Sequence, residues 1–137
     1  MGEQGDQACF KPAPLIEQRM RVAKLVSWLR NARSLRTRVF DAELFGEPAW
    51  DILLDLYDAE LRQVRTKISS VCIESHIPRT TSLRWLKAME NRGLVQRRDD
   101  PNDARRIFVS LTPSAIGVMD ALFEAMAAQL PDLQSSP

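Results

Sequence analysis

Apolar residues recur at three- and four-residue spacing through Met20, Val22, Ala23, Leu25, Val26, Leu29, Ala32, Leu35, Val39 and Phe40, with Arg19, Lys24, Arg30, Arg33 and Arg36 between them. That is the pattern of an amphipathic helix, and it predicts one long helix beginning near Leu15. Gly46 and Pro48 interrupt the pattern, and Pro48 suits a helix start, where a missing N–H costs nothing. A second helix is predicted over 48–61, burying Trp50, Leu53, Leu54 and Tyr57 on one side. Residues 1–14, with their Gly, Gln and Pro, are expected to form a disordered tail, and 131–137 a second tail.

Beyond residue 67 the elements shorten. Ser69 or Ser70 can cap a short helix through its hydroxyl, turning Val71, Cys72 and Ile73 inward. That helix ends at Ser75 and His76, and His76 is expected to take the αL-like turn conformation, with Ile77 plugging the space behind it. Pro78 opens the next helix and Gly93 closes it as the first residue past its end. Within that helix Trp85, Leu86 and Met89, joined by Leu94, are predicted to be buried. Arg79, Thr80, Thr81 and Arg84 gather near its N-terminal end on the opposite side, with Leu83 and Lys87 at the margins. After Gly93 the period changes to two short β-prone runs, 94–98 and 106–111, joined by the turn Asp100, Pro101, Asn102, Asp103. Thr112 and Pro113 then begin a last helix with Ile116, Met119, Leu122, Phe123, Met126 and Leu130 as one apolar stripe.

This order of parts describes a mainly α chain with a small β-wing. A winged helix-turn-helix occupies 46–112, between an N-terminal dimerisation helix at 15–45 and a C-terminal one at 113–130. Such a module is built to hold duplex DNA. The first turns of its second helix enter the major groove, where Arg can pair bidentately with guanine and a Thr methyl can touch thymine. A solvated face that happens to carry two Arg and two Thr is the plainer alternative. Arg105 lies beside the wing turn, next to Asp100 and Asp103, whose carboxylates can hold its side chain extended for the narrow minor groove. An ordinary hairpin with a surface ion pair is the plainer alternative there.

Composition narrows the classes. The chain has 137 residues, 45% of them hydrophobic and 27% charged, which suits one globular domain. No apolar run reaches the roughly 18 residues of a membrane span, and the first residues lack the regions of a signal peptide, so a cytoplasmic protein is expected. Cys9 and Cys72 form no C-x-x-C pair, so no metal site or disulfide framework is expected. With a single His, no Gly-rich phosphate loop and no ligand cluster, neither an enzyme nor a cofactor is expected. The net charge of +1 hides segregation: residues 15–38 hold seven basic against one acidic residue, 39–60 hold seven acidic and no basic, and 61–110 hold eleven basic against five acidic. A basic excess on the reading module is what a phosphate binder needs.

The run Ile68, Ser69, Ser70, Val71, Cys72, then Ile77, Pro78, Arg79, Thr80, Thr81, Arg84, Glu90, Gly93, Leu94, Val95, Arg97, Arg98, and finally Asp100, Pro101, Asn102, Asp103, Ala104, Arg105, Arg106, Ile107, Phe108, Val109, Ser110, Leu111, Thr112 and Pro113 resembles the multiple antibiotic resistance regulator (MarR) family. The wing and the Leu111, Thr112, Pro113 passage into the last helix are its most specific part. The resemblance covers about residues 48–113 and implies a homodimeric transcription regulator on a pseudo-palindromic operator. It carries DNA contacts onto Arg79, Thr80, Thr81, Leu83, Arg84, Lys87 and Arg105, with Asp100 and Asp103 as wing supports. The chain departs from the family in having His76 where Gly is usual and Pro78 where Ser is usual, which removes the hydroxyl cap of the recognition helix. It also leaves room for one C-terminal helix where the family commonly has two, a shortened dimerisation region. A small-molecule effector of unknown identity is then either absent or bound in a pocket that the first helix helps to wall. A winged-helix module that binds only protein is the alternative reading.

Overall fold

A computed structural model describes residues 12–40, 47–74 and 78–130, with backbone alone at 12–15, 37 and 72–74. The first helix, α1 (Pro12–Val39), begins before the expected start at Leu15. Pro12 and Pro14 fall in its first turn, where a missing N–H breaks no helical bond. The helix has two apolar faces where the sequence suggested one. Val22 and Val26 are buried, whereas Ile16, Met20, Trp28, Leu35 and Val39 are exposed. At about 100° per residue these exposed positions fall together on the side opposite Val22 and Val26.

Helix α2 (Pro48–Arg62) buries Ile52, Leu54, Leu56, Tyr57 and Asp58, while Trp50 and Leu53 only flank the core. It packs beside α1, and the opposed charge blocks meet across that contact. Arg30 donates to Asp55 and to Asp58, each at 2.9 Å, Arg33 donates to Asp51 at 2.7 Å and lies 3.2 Å from Glu47, and Arg62 lies 3.1 Å from Asp58. Arg30 and Arg33 of the N-terminal basic block are thus paired with the acidic block that follows it. The winged part, residues 61–110, keeps a basic excess of its own. At the end of α2, Gln63 adopts a left-handed φ of 60°, which lets the Val64 N–H reach the Ala59 carbonyl at 2.9 Å.

A two-residue strand β1 (Thr66–Lys67) follows, and α3 (Ile68–Glu74) starts directly after it. Ser69 and Ser70 are therefore inside α3 and do not cap it. The expected turn at Ser75, His76 and Ile77 lies outside the described residues, as do Cys9, Gly46 and the side chains of Cys72 and Ile73. Helix α4 (Arg79–Asn91) ends at Gly93, whose φ of 73° is left-handed. The Gly93 N–H bonds the Glu90 carbonyl at 3.0 Å and the Leu94 N–H bonds the Met89 carbonyl at 2.9 Å, a complete Schellman closure.

Strands β2 (Val95–Asp100) and β3 (Asp103–Leu111) form the wing, and the antiparallel sheet runs β1-β3-β2. The wing was expected to have two strands. A strand as short as β1 has no periodicity to read, and only its pairing of Thr66 with Val109 and Lys67 with Phe108 reveals it. Helix α5 (Pro113–Ala128) completes the fold and packs on α1. Phe123 stacks on Tyr57 at 5.4 Å and on Trp50 at 6.2 Å, and the Tyr57 hydroxyl donates to Asp120 at 2.5 Å. Burial and the Asp120 carboxylate both raise the Tyr57 phenol above its ordinary range. Ala115, Met119 and Phe123 are buried, but Leu122 and Leu130, expected in the same stripe, are exposed, as is Val118. Among the described residues no helix is long and apolar enough to cross a membrane.

Candidate nucleic-acid interface

The phase of α4 decides which side chains it offers. Ser82, Leu86 and Met89 are buried, a repeat of four and three residues that sets the core side of the helix. Trp85, expected in that stripe, is 39% exposed: it stands about 100° around the helix from Leu86, and the small Ser82 fills the inward position instead. Opposite the core, Thr80, Arg84, Lys87 and Asn91 recur at i, i+4, i+7 and i+11, all exposed, with Ala88 beside them. Asn91 and Ala88 were absent from the sequence expectation although the same phase gives them. Arg79 is exposed at the first position, Thr81 is half-buried, and Leu83 is half-buried and packed against the core.

Among the described residues the start of α4 has no side-chain cap. Pro78 occupies the cap position with φ −55° and ψ 142°, and the first turn holds no acidic residue. The first N–H groups and the positive end of the helix dipole thus stand beside Arg79 and Thr80, an arrangement that attracts an anion. At the other end Glu90 lies 3.8 Å from Lys87 and 3.3 Å from Arg97, so one carboxylate ties the helix to β2.

The wing tip is shaped by its carboxylates. Asp100 accepts from the Asn102 N–H at 2.9 Å, closing the turn. Asp103 accepts from the Arg105 N–H at 3.0 Å and lies 3.5 Å from its Nε. These bonds, the backbone one foremost and then those of the Arg105 and Arg106 side chains, hold the Asp103 carboxyl below its ordinary range. Asp100 faces Arg106, at 3.8 Å, and does not reach Arg105. The ladder pairs Asp99 with Ile107 but Asp100 with Asp103, which leaves residues 104–106 without partners opposite. Arg105 stands on that bulge with its side chain 93% exposed.

A cleft between α1, α2, β1 and α3 is lined by Arg30, Asp55, Asp58, Arg62, Thr66 and Ser70 among others. Among the described residues no cluster of His, Cys, Asp and Glu could hold a metal.

Comparison with known proteins agrees with this architecture. No curated protein matches the sequence. A DNA complex of MepR from S. aureus superposes with a TM-score of 0.56 at 19% identity, covering 82% of this chain and 87% of that one. A ZitR variant from Lactococcus lactis in its apo form gives 0.52 at 20% identity, over 76% and 75% of the two chains. AF1382 from Archaeoglobus fulgidus gives 0.52 at 18% identity, over 69% and 96%. These are MarR-family regulators, and at such identities the likeness establishes the fold. The winged helix DNA-binding domain family matches residues 47–115, half of the chain and the whole of the helix-turn-helix and wing, and the chain belongs to that family.

Proposed function

We propose that this protein regulates transcription as a homodimer that reads a pseudo-palindromic double-stranded DNA operator. The observation that carries the reading is the exposed face of α4, with Thr80, Arg84 and Lys87 in line behind a helix start that has no side-chain cap among the described residues. In this reading Arg79, Thr80, Thr81 and Arg84 contact base edges and phosphates of the major groove, with Lys87 and the edge of Leu83 at the margin. Arg105, held by Asp103 and standing clear of the sheet, enters the flanking minor groove, and Asp100 shapes the turn behind it. The solved MepR complex with DNA shares this fold and supports the assignment.

Dimerisation follows from surface left over by the core. Ile16, Met20, Trp28, Leu35 and Val39 on α1, and Val118 and Leu122 on α5, are apolar and exposed, an area that water covers poorly and a second copy covers well. Two heads related by a two-fold axis then read half-sites roughly 10 base pairs apart. The test is an electrophoretic shift with DNA from upstream of the protein's own gene, combined with light scattering of the free protein. A retarded band competed poorly by random duplex, and a dimer at micromolar concentration, are expected. A monomer that binds operator and random DNA alike overturns the reading.

A further inference from the structure

Several cations of the winged part are already engaged: Arg62 with Asp58, Arg97 with Glu90, and Arg106 with Asp100 and Asp103. Arg65, Lys67 and Arg98 are different. All three are exposed, and none has an ion-pair partner among the described residues. The ladder places them together, because Phe108 pairs with Lys67 on one side and with Arg98 on the other. Directly paired residues of an antiparallel sheet share a face. Arg65 joins the same row, its guanidinium carbon 5.4 Å above the Phe108 ring, where the ring's negative face holds it in place. Three unneutralised cations thus surround one aromatic ring across three strands, a width of roughly 10 Å.

Their face is the outer one. Val109 and Leu111, one step along β3 in either phase from Phe108 and Ser110, are buried in the core, so the row at Phe108 points away from the helices. The next row on that face is neutral, Gln96 with Ser110 at 3.4 Å. Beyond Phe108 toward the tip, Arg106 is matched by two carboxylates. The positive charge is therefore confined to a single row.

We propose that Arg65, Lys67 and Arg98 form a separate phosphate-binding surface on the outer face of the sheet, which grips the backbone of duplex DNA beyond the minor groove entered by Arg105. This rests on the DNA-binding reading above. The surface carries no hydrogen-bonding pattern for base edges, so it adds affinity and extends the footprint without adding sequence preference.

The test is the salt dependence of binding to a random-sequence duplex of about 30 base pairs, followed by fluorescence anisotropy, for the wild type, Lys67→Gln, Arg98→Gln and the double variant. Each lost phosphate contact lowers the magnitude of the slope of log K against log salt by roughly 0.9. Each single variant is expected to lower the slope by that amount and the double variant by twice as much, with thermal unfolding unchanged. The control Arg19→Gln, which removes the same charge as either single variant from a solvent-facing position of α1 outside its exposed apolar face, is expected to keep the wild-type slope. A double variant with the wild-type slope overturns the proposal and leaves DNA binding standing. An equal fall in the α1 control also overturns it, by showing that the effect comes from net charge and not from this face. A wild type with no salt-dependent binding overturns both this proposal and the function on which it rests.

Discussion

The Thr112 hydroxyl donates to the Gly93 carbonyl at 2.6 Å, joining the turn that ends α4 to the residue that begins α5. The same oxygen accepts from the Ala115 N–H at 3.2 Å, and the Thr112 N–H reaches the Leu94 carbonyl at 3.0 Å. One side chain thus caps α5 and fixes α5 against the end of α4. Thr112→Val keeps the shape and removes both hydroxyl bonds, and is expected to cost about 1–2 kcal/mol. Urea unfolding measures it; an unchanged midpoint means that the cap contributes nothing.

Gly93→Ala tests the backbone alone. A Cβ at Gly93 meets nothing within 4 Å, so any loss comes from the left-handed φ of 73° and not from a clash. The expected destabilisation is about 1–2 kcal/mol, read from the same denaturant curves.

Tyr57 is the chain's only tyrosine, so ultraviolet absorbance reports its ionisation without interference. Its phenol is raised in the folded state, chiefly by burial. The folded protein therefore retains a proton that the unfolded chain gives up near pH 10, and this contribution to stability is whole below about pH 10 and lost as pH climbs above it. Phenolate should appear only together with loss of helical circular dichroism. A normal titration near pH 10 with the fold intact contradicts the buried bond to Asp120.

Arg84 and Arg105 should separate by the DNA they are offered. Arg84→Ala is expected to lose about 1–3 kcal/mol on the operator and less on random duplex. Arg105→Ala should weaken both, most where the flanking minor groove is narrow. Equal losses for Arg84→Ala on the two duplexes reduce that residue to a phosphate contact.

Trp28, 65% exposed on α1, offers the sharpest probe of assembly. Trp28→Glu is expected to shift sedimentation toward the monomer and to weaken operator binding more than binding to random duplex, because one head then acts alone. A variant that remains dimeric places the two-fold contact elsewhere.

Helix α4 was legible because Leu86, Met89 and Gly93 fix its phase and its end. Its lining was less so, since hydropathy alone favours Trp85 for the core, whereas the phase set by Leu86 and Met89 turns the polar Ser82 inward and leaves Trp85 39% exposed. In α1 the sequence summed two apolar faces into one, because Met20 and Leu35 have the same hydropathy whether they meet Val26's neighbours or open surface. The pairs from Arg30 and Arg33 to α2 join residues far apart in sequence, and no local pattern encodes them. Strand β1 and the partner of Asp100 were hidden for the same reason: both exist only through the register of β3.

That register has a further consequence. Residues 104–106 stand outside the ladder, so the wing tip can gain or lose a residue while Ile107, Val109 and Leu111 stay in step. Elsewhere in β3 a shift of one would turn its apolar side chains out to water. Insertions and deletions are thus absorbed at the bulge, and the reach of Arg105 can vary independently of the packing beneath it.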